Sequence, residues 1–195
     1  MDVGEAGRGP IGRILDAVTG KGERLDIRVD QDSRIIERMS SRLSYLYGYW
    51  RARHHADGSL PRRADVDPIE IARQAPELLP HIWLLDVMRN PYRFRYRLIG
   101  GAIIEAGSPS RVGEIIEPPR SGDRHVSLYG NLVQLCEKRT WNYRCGRPTL
   151  AHSRHVEVVE RLSLPLVDES GEVAVVLSAS LYSWEPGWGV NSREG

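Results

Sequence analysis

The sequence has little cysteine, no long apolar run and almost no net charge, and each absence excludes a class of protein. Its two cysteines, Cys136 and Cys145, are too few for a disulfide framework and lack metal-site spacing, so we expect buried thiols in a reducing compartment. No stretch approaches the roughly 20 apolar residues of a membrane span, and the first residues lack the apolar core of a signal peptide. A net charge of +1 gives no global attraction to nucleic acid or an anionic membrane. We therefore expect a cytoplasmic protein that binds neither nucleic acid nor membrane.

Reactive constellations are missing from the sequence as well. It contains no phosphate-binding glycine loop, no nucleophile elbow and no histidine pair at helical metal spacing. His54 and His55 are adjacent, so their rings point in different directions, and His152 with His155 would need a further ligand to hold a metal. His125 is the best placed axial ligand for a haem, although supporting a helix start is its simpler interpretation. The sequence predicts no catalytic residue and no metal site, and it leaves any cofactor unknown.

Glycine and turn-forming residues are concentrated at the two ends of the chain. Such residues raise the entropic cost of ordering a segment. We predict a flexible N-terminal tail over residues 1–30 and a flexible C-terminal tail over 184–195. Between them we predict a helical lead-in over 31–75 and the main domain over 76–183.

The lead-in begins with an amphipathic helix, starting at Asp32 or Ser33. Apolar residues recur there at spacings of three and four, which is the pattern of one helix face. These residues are Ile36, Met39, Leu43, Leu46 and Trp50. The stripe is expected either to pack on the protein's own sheet or to form a dimer or partner interface, for which the run is short.

A pair of strands follows, over residues 81–88 and 92–98, joined by a turn at Asn90-Pro91. The second strand alternates regularly between two kinds of residue, which predicts one aromatic face and one cationic face. The aromatic face holds Tyr92, Phe94, Tyr96 and Leu98, and the cationic face holds Arg93, Arg95 and Arg97. The arginines either pair an anionic ligand or partner, or form a solvated outer face of the sheet.

Helices and three more strands complete the pattern. A helix is predicted from residue 122 or 123 to 138, with Val126, Tyr129, Val133 and Cys136 on one face. Strands are predicted over 141–145, 156–166 and 173–182, the last two joined by a tight turn over 168–171. This order predicts an α+β fold with a five-stranded antiparallel sheet, helices on one face and an N-terminal lead-in helix.

The last strand is apolar on both faces. Val173, Val175 and Leu177 face one way, while the alternate residues between them, also mostly apolar, face the other. A sheet buried on both faces needs cover on both sides. Either the lead-in helix or a second subunit must supply the second cover, which motivates the prediction of a homodimer.

The order of elements resembles a PAS domain, and more narrowly the fifth PAS family of bacterial proteins of largely unknown function, which has a helical lead-in. The residues that carry the resemblance are Tyr49-Trp50, Arg53, Leu60-Pro61-Arg62-Arg63, Asp65-Val66-Asp67-Pro68, Pro76, Leu79-Pro80 and the segments 82–87, 96–100 and 162–166. The resemblance covers residues 35–182. The sequence departs from the family pattern at two places. The loop over 108–113 lacks the acidic residue that is usual there, and Gly101 stands where a small hydroxyl residue is usual.

The resemblance implies a sensory or regulatory module of bacterial signal transduction without catalytic residues. It implies a small ligand held between the sheet and the helices, or an unidentified signalling protein as partner. Seven residues are the candidates for lining such a pocket, and the same residues would form a filled core. They are Tyr96, Leu98, Tyr129, Val133, Cys136, Tyr143 and Leu177. The alternatives are an α+β cone enzyme with a buried acid and histidine, for which Asp86 is the first acid to check, and a ligand-free scaffold.

Overall fold

A computed structural model of the chain describes residues 33–107, 112–120, 126–148 and 155–184, and its elements are labelled here in chain order. The helices are α1 (Ser33–Arg38), α2 (Ser41–Arg51), α3 (Pro68–Gln74), α4 (Gly101–Glu105) and α5 (Val126–Lys138), with 3-10 turns at Arg63–Asp65 and Pro76–His81. The strands are β1 (Ile82–Met88), β2 (Arg93–Ile99), β3 (Ile115–Ile116), β4 (Asn142–Gly146), β5 (Val156–Val167) and β6 (Val173–Trp184). The predicted tails lie outside the described residues, except for Trp184, which ends β6. Within the described ranges, no helix is long and apolar enough to cross a membrane.

The strands form a single sheet in the order β3-β2-β1-β6-β5-β4, and every neighbouring pair is antiparallel. This confirms the α+β class and the antiparallel sheet. The predicted count of five strands is corrected to six, because β3 pairs Ile115 and Ile116 with the edge of β2. Two residues are too few to show an alternation, so the sequence gives no signal for this strand.

A β-bulge in the β1–β2 hairpin divides the predicted aromatic face of β2. Phe94 and Tyr96 are buried as expected, and Tyr96 pairs with Leu85. The register then shifts, so that Leu84 pairs with Leu98. One extra residue reverses the side to which the following side chains point, and Leu98 is 41% exposed rather than part of the aromatic face.

The lead-in is two helices rather than the one that the stripe predicts. The break lies at Ser40, whose ψ of 150° is not helical. In a continuous helix its backbone N–H would donate to the carbonyl of Ile36, but it donates instead to Glu160 Oε1 at 2.8 Å. A carboxylate from the sheet therefore replaces the helix's own acceptor at this junction.

Most of the lead-in stripe is buried inside the single chain. Leu43 and Leu46 are fully buried, Met39 and Trp50 nearly so, and Ile36 is half-buried. The indole Nε1 of Trp50 donates to the carbonyl of Pro165 at 2.9 Å. The stripe thus packs on the protein's own sheet, which is the first of the two arrangements expected for it.

The central strands β5 and β6 are covered on both faces by the same chain. We call the side under α2 the outer face and the side under α5 the inner face. Burial runs along almost the whole of β5 and through most of β6, which confirms the two-sided burial expected of the last strands. Because α2 covers the outer face and α5 the inner face, this burial does not itself require a second subunit.

Candidate functional site

Four of the seven predicted pocket residues lie at the inner face. Tyr129 on α5 places its ring 5.8 Å from that of Phe94, and its hydroxyl donates to the carbonyl of Tyr92 at 2.8 Å. Tyr96 lies beside Trp83, with ring centroids 6.0 Å apart. The other two, Val133 and Cys136 on α5, belong to the same hydrophobic core.

The remaining three, Leu98, Tyr143 and Leu177, lie at the outer face. Tyr143 pairs with Leu162 of β5, and its hydroxyl donates to Glu160 Oε1 at 2.9 Å, under the lead-in. Leu177 pairs with Leu164 and therefore points to the same side. The seven residues consequently do not line one pocket, and the placement of these three beneath α5 is corrected.

The buried stripe of α5 is also rotated from the predicted one. Among its described side chains Leu128, Leu132, Leu135 and Cys136 are buried, whereas Tyr129 and Val133 are partly buried, so Cys136 belongs to both the predicted and the observed stripe. Both sets of spacings satisfy a helical face, so the sequence alone does not choose between them.

A small cavity remains between α5 and the sheet. Its volume is about 10 Å³, which admits a single water molecule. Its lining residues are Leu128, Asn131, Leu132, Leu135, Asn142, Arg144, Arg161 and Ser163. At this place the described side chains leave room for no more than one water molecule.

Arg161 is the unusual residue of this cavity. It is 7% exposed, its Nε donates to Ser180 Oγ at 3.3 Å, and its guanidinium carbon lies 5.4 Å from the ring centre of Trp83. Burial lowers the pKa of the guanidinium, while the nearby Tyr182 and Tyr96 act in the opposite direction. No carboxylate in the described part of the chain forms an ion pair with it.

Glu160, the preceding residue, points to the outer face. It is fully buried and accepts hydrogen bonds from the Ser40 backbone and the Tyr143 hydroxyl. Its carboxylate lies at the N-terminus of α2, where the helix dipole favours negative charge. Neither Glu160 nor Arg161 was among the predicted site residues. The available signal was a pair of opposite charges in the middle of an apolar strand.

The acid Asp86 and the histidine His55 each have a partner within the chain. Asp86 accepts hydrogen bonds from Arg95 Nη2 at 2.8 Å and from Arg97 Nε at 2.6 Å, so two of the three arginines on the cationic face of β2 are paired within the chain. His55 Nε2 lies 3.0 Å from Asp65 Oδ2, at an exposed position. Over the ranges that the structure describes, no three His, Cys, Asp or Glu side chains are grouped as metal ligands. His125 and His152 lie outside those ranges.

Several residues of the family resemblance connect two segments of the lead-in, the helix α2 and residues 65–70. The Tyr49 hydroxyl accepts from the backbone of Asp67 at 2.8 Å. Arg53 stacks on the Tyr49 ring, donates to the carbonyl of Asp65 at 2.9 Å and forms an ion pair with Glu70. These residues of the resemblance therefore stabilise the lead-in.

Both cysteines are buried thiols whose ionisation opposes folding. Burial raises the pKa of Cys136 to about 12 and that of Cys145 to about 11. Since an unfolded thiol ionises near pH 9, stability is expected to be intact below pH 9 and to fall as the pH rises from there toward the folded values. By pH 10.5, each thiol is expected to cost about 2 kcal/mol of unfolding free energy.

Urea unfolding at pH 8 and pH 10.5 measures this loss. Cys136→Ala is expected to lose about 2 kcal/mol less than the wild type between the two pH values, whatever its stability at pH 8. An equal pH dependence in both proteins would contradict the prediction. The exposed Lys138→Ala, on the same helix, is the matched control and should keep the wild-type pH dependence.

One comparison with known proteins agrees with the resemblance. A family model described as a PAS domain matches residues 38–107, from the end of α1 through α4. No curated protein matches the sequence. Among solved structures, the crystal structure of the Agobacterium tumefaciens repressor BlcR is similar, with 15% identity, 87% of this chain and 83% of that chain covered, and a TM-score of 0.31. The match over residues 38–107 supports the resemblance to the PAS domain family, and a PAS domain is in general a sensory or regulatory module.

Proposed function

We propose that this protein is a non-catalytic sensory module of bacterial signal transduction, which binds a small ligand or a protein partner and transmits its state through the lead-in. The observation that carries the proposal is the pair Glu160 and Arg161. Consecutive residues of β5 place a carboxylate at the α1–α2 junction on the outer face and a guanidinium in the cavity on the inner face.

The pair links the two faces of the sheet, because its members are consecutive residues of one strand. A ligand changes an equilibrium only if it binds two conformations differently. A displacement of Arg161 at the inner face moves the backbone of β5, and Glu160 is attached to that same backbone. Because Glu160 accepts the Ser40 N–H, the angle between α1 and α2 depends on the position of β5. The lead-in is thus the element that we propose a signalling partner reads.

A cytoplasmic location and a homodimer belong to the same proposal. The residues expected at a dimer seam, including Met39 and Leu43, are buried within one chain. Charged substitutions there would disturb the core as well as any interface, so they do not test dimerisation separately from folding. Subunit number is better measured on the unmodified protein.

Native mass spectrometry of the freshly purified protein tests the binding part of the proposal. We expect a mass above that of the bare chain, either by a small molecule or by a second subunit. Hydrogen exchange before and after release of that molecule should change protection in residues 36–51. A bare monomer, or a bound molecule whose release leaves this segment unchanged, would contradict a sensory role for the lead-in.

A further inference from the structure

The Arg161 side chain is a buried cation without an anionic partner in the described part of the chain. A guanidinium does not lose its proton in a protein, so its charge persists although burial disfavours it. The Trp83 ring and the Ser180 hydroxyl partly compensate it, but Ser180 Oγ also accepts from Trp83 Nε1 at 3.0 Å. One neutral oxygen shared by two donors leaves most of the guanidinium's hydrogen-bonding capacity to other acceptors.

The cavity walls differ on their two sides. The sheet contributes two cations, Arg144 and Arg161, together with the Asn142 amide and the Ser163 hydroxyl. The helix α5 contributes Leu128 and Leu132, among the most buried apolar residues of the chain. A cationic polar wall facing an apolar wall fits a ligand with an anionic head and a short apolar tail.

We propose that this cavity binds a small organic monocarboxylate, with its head on Arg161 and its tail against the α5 leucines. The inference rests on the proposed sensory function, since it names the ligand class of that module. A carboxylate accepts two parallel hydrogen bonds from a guanidinium, the strongest neutralisation that a single small group offers.

The size of the cavity determines how binding is signalled. A volume of about 10 Å³ holds one water but not a carboxylate. The α5 leucines must therefore move away from the sheet as the ligand enters. Occupancy is thereby linked to the position of α5, while the head group acts directly on β5.

Thermal unfolding of the full chain at constant ionic strength tests the inference. The probes are acetate, propionate and butyrate, each compared with the neutral amide of the same length, with sodium chloride maintaining the ionic strength. We expect a saturable rise of at least about 2 °C in Tm with a carboxylate and none with its amide. Arg161→Met should lose that rise, and its Tm without carboxylate should equal or exceed that of the wild type, because an unpaired charge has been removed.

Two further variants keep the result unambiguous. Arg95→Met removes a cation from the outer face and should retain the full response to carboxylate. Arg161→Lys keeps the charge without the planar fork, and should bind the same carboxylate at least tenfold more weakly. If Arg161→Met fails to fold, Arg161→Lys against Arg95→Met decides the question.

The outcomes separate this inference from the proposed function. Equal responses to carboxylate and amide, a response to chloride alone, or an unchanged response in the Arg161 variants would overturn the carboxylate site. A neutral ligand found by native mass spectrometry would do the same while leaving the sensory function intact. A carboxylate response that depends on Arg161 but leaves exchange in residues 36–51 unchanged would support the site and contradict the transmission.

Discussion

Replacing Gly100 by alanine is expected to destabilise the protein by about 3 kcal/mol or more, enough to leave a substantial unfolded fraction in a marginal domain. A Cβ at this position would lie 2.2 Å from the carbonyl oxygen of Pro80, 2.5 Å from its carbon and 2.9 Å from the carbonyl oxygen of Ile82. All three are backbone atoms, so no side chain can rotate to relieve the contact. The backbone is also held, because Gly100 donates to the Ile82 carbonyl at 2.8 Å.

The next residue supplies the matched control. Gly100 has a φ of −70°, so its requirement is for space and not for an unusual backbone angle. Gly101 begins α4, and a Cβ there would meet nothing within 4 Å. Gly101→Ala is expected to be neutral or to stabilise by about 0.5–1 kcal/mol, since alanine favours a helix. Urea unfolding of both variants decides the matter, and similar midpoints for the two would contradict the argument.

Secondary structure that produces a periodic pattern of apolar residues was largely predictable from the sequence. Strands β1, β2, β5 and β6 follow from alternation or sustained apolar runs, and the sequence predicts each within about two residues. The helix α3 follows from Asp67, whose side chain accepts from the backbone of Ile69 at 2.8 Å as an N-cap should. These features depend on residues close together in the chain, which is why the sequence reveals them.

Features set by distant residues were not predictable. The lead-in is broken at Ser40 by an acceptor 120 positions away, and a continuous apolar stripe contains no sign of it. The bulge opposite Leu84 moves Leu98 to the other face, and no residue there marks a bulge. Both features change which residues surround the candidate site. The side to which a pocket residue points depends on the register of its strand.

The two charged residues of β5 are visible in the sequence but were absent from the predicted site. Glu160 and Arg161 interrupt an apolar strand, and charged residues are rarely buried without a reason. The hydrophobic residues alone predict the strand, and they give no account of these two charged residues. In a strand that is buried on both faces, a charged residue has no solvent to reach, and it identifies a functional or structural junction before any coordinates are known.

Removing the Glu160 carboxylate is expected to be the other large effect. Glu160→Ala leaves two buried donors, Ser40 N–H and Tyr143 O–H, without their acceptor, and each such loss costs about 1–3 kcal/mol. Relief from burying a charge offsets part of this cost, so we expect a net loss of about 2–4 kcal/mol. Glu160→Gln keeps an acceptor oxygen toward both donors and should lose less than half as much.

The location of the damage distinguishes the junction from a general loss of stability. In Glu160→Ala, hydrogen exchange of the Ser40 amide is expected to accelerate more than that of β6, because the α1–α2 junction has lost its anchor to the sheet. Asp86→Ala is the matched control, since it also removes a buried outer-face carboxylate, but one bonded to Arg95 and Arg97 rather than to the lead-in. If both variants accelerate exchange at Ser40 equally, Glu160 does not hold the lead-in on the sheet. An effect confined to Glu160→Ala means that the conformation of the lead-in is determined by one carboxylate of β5.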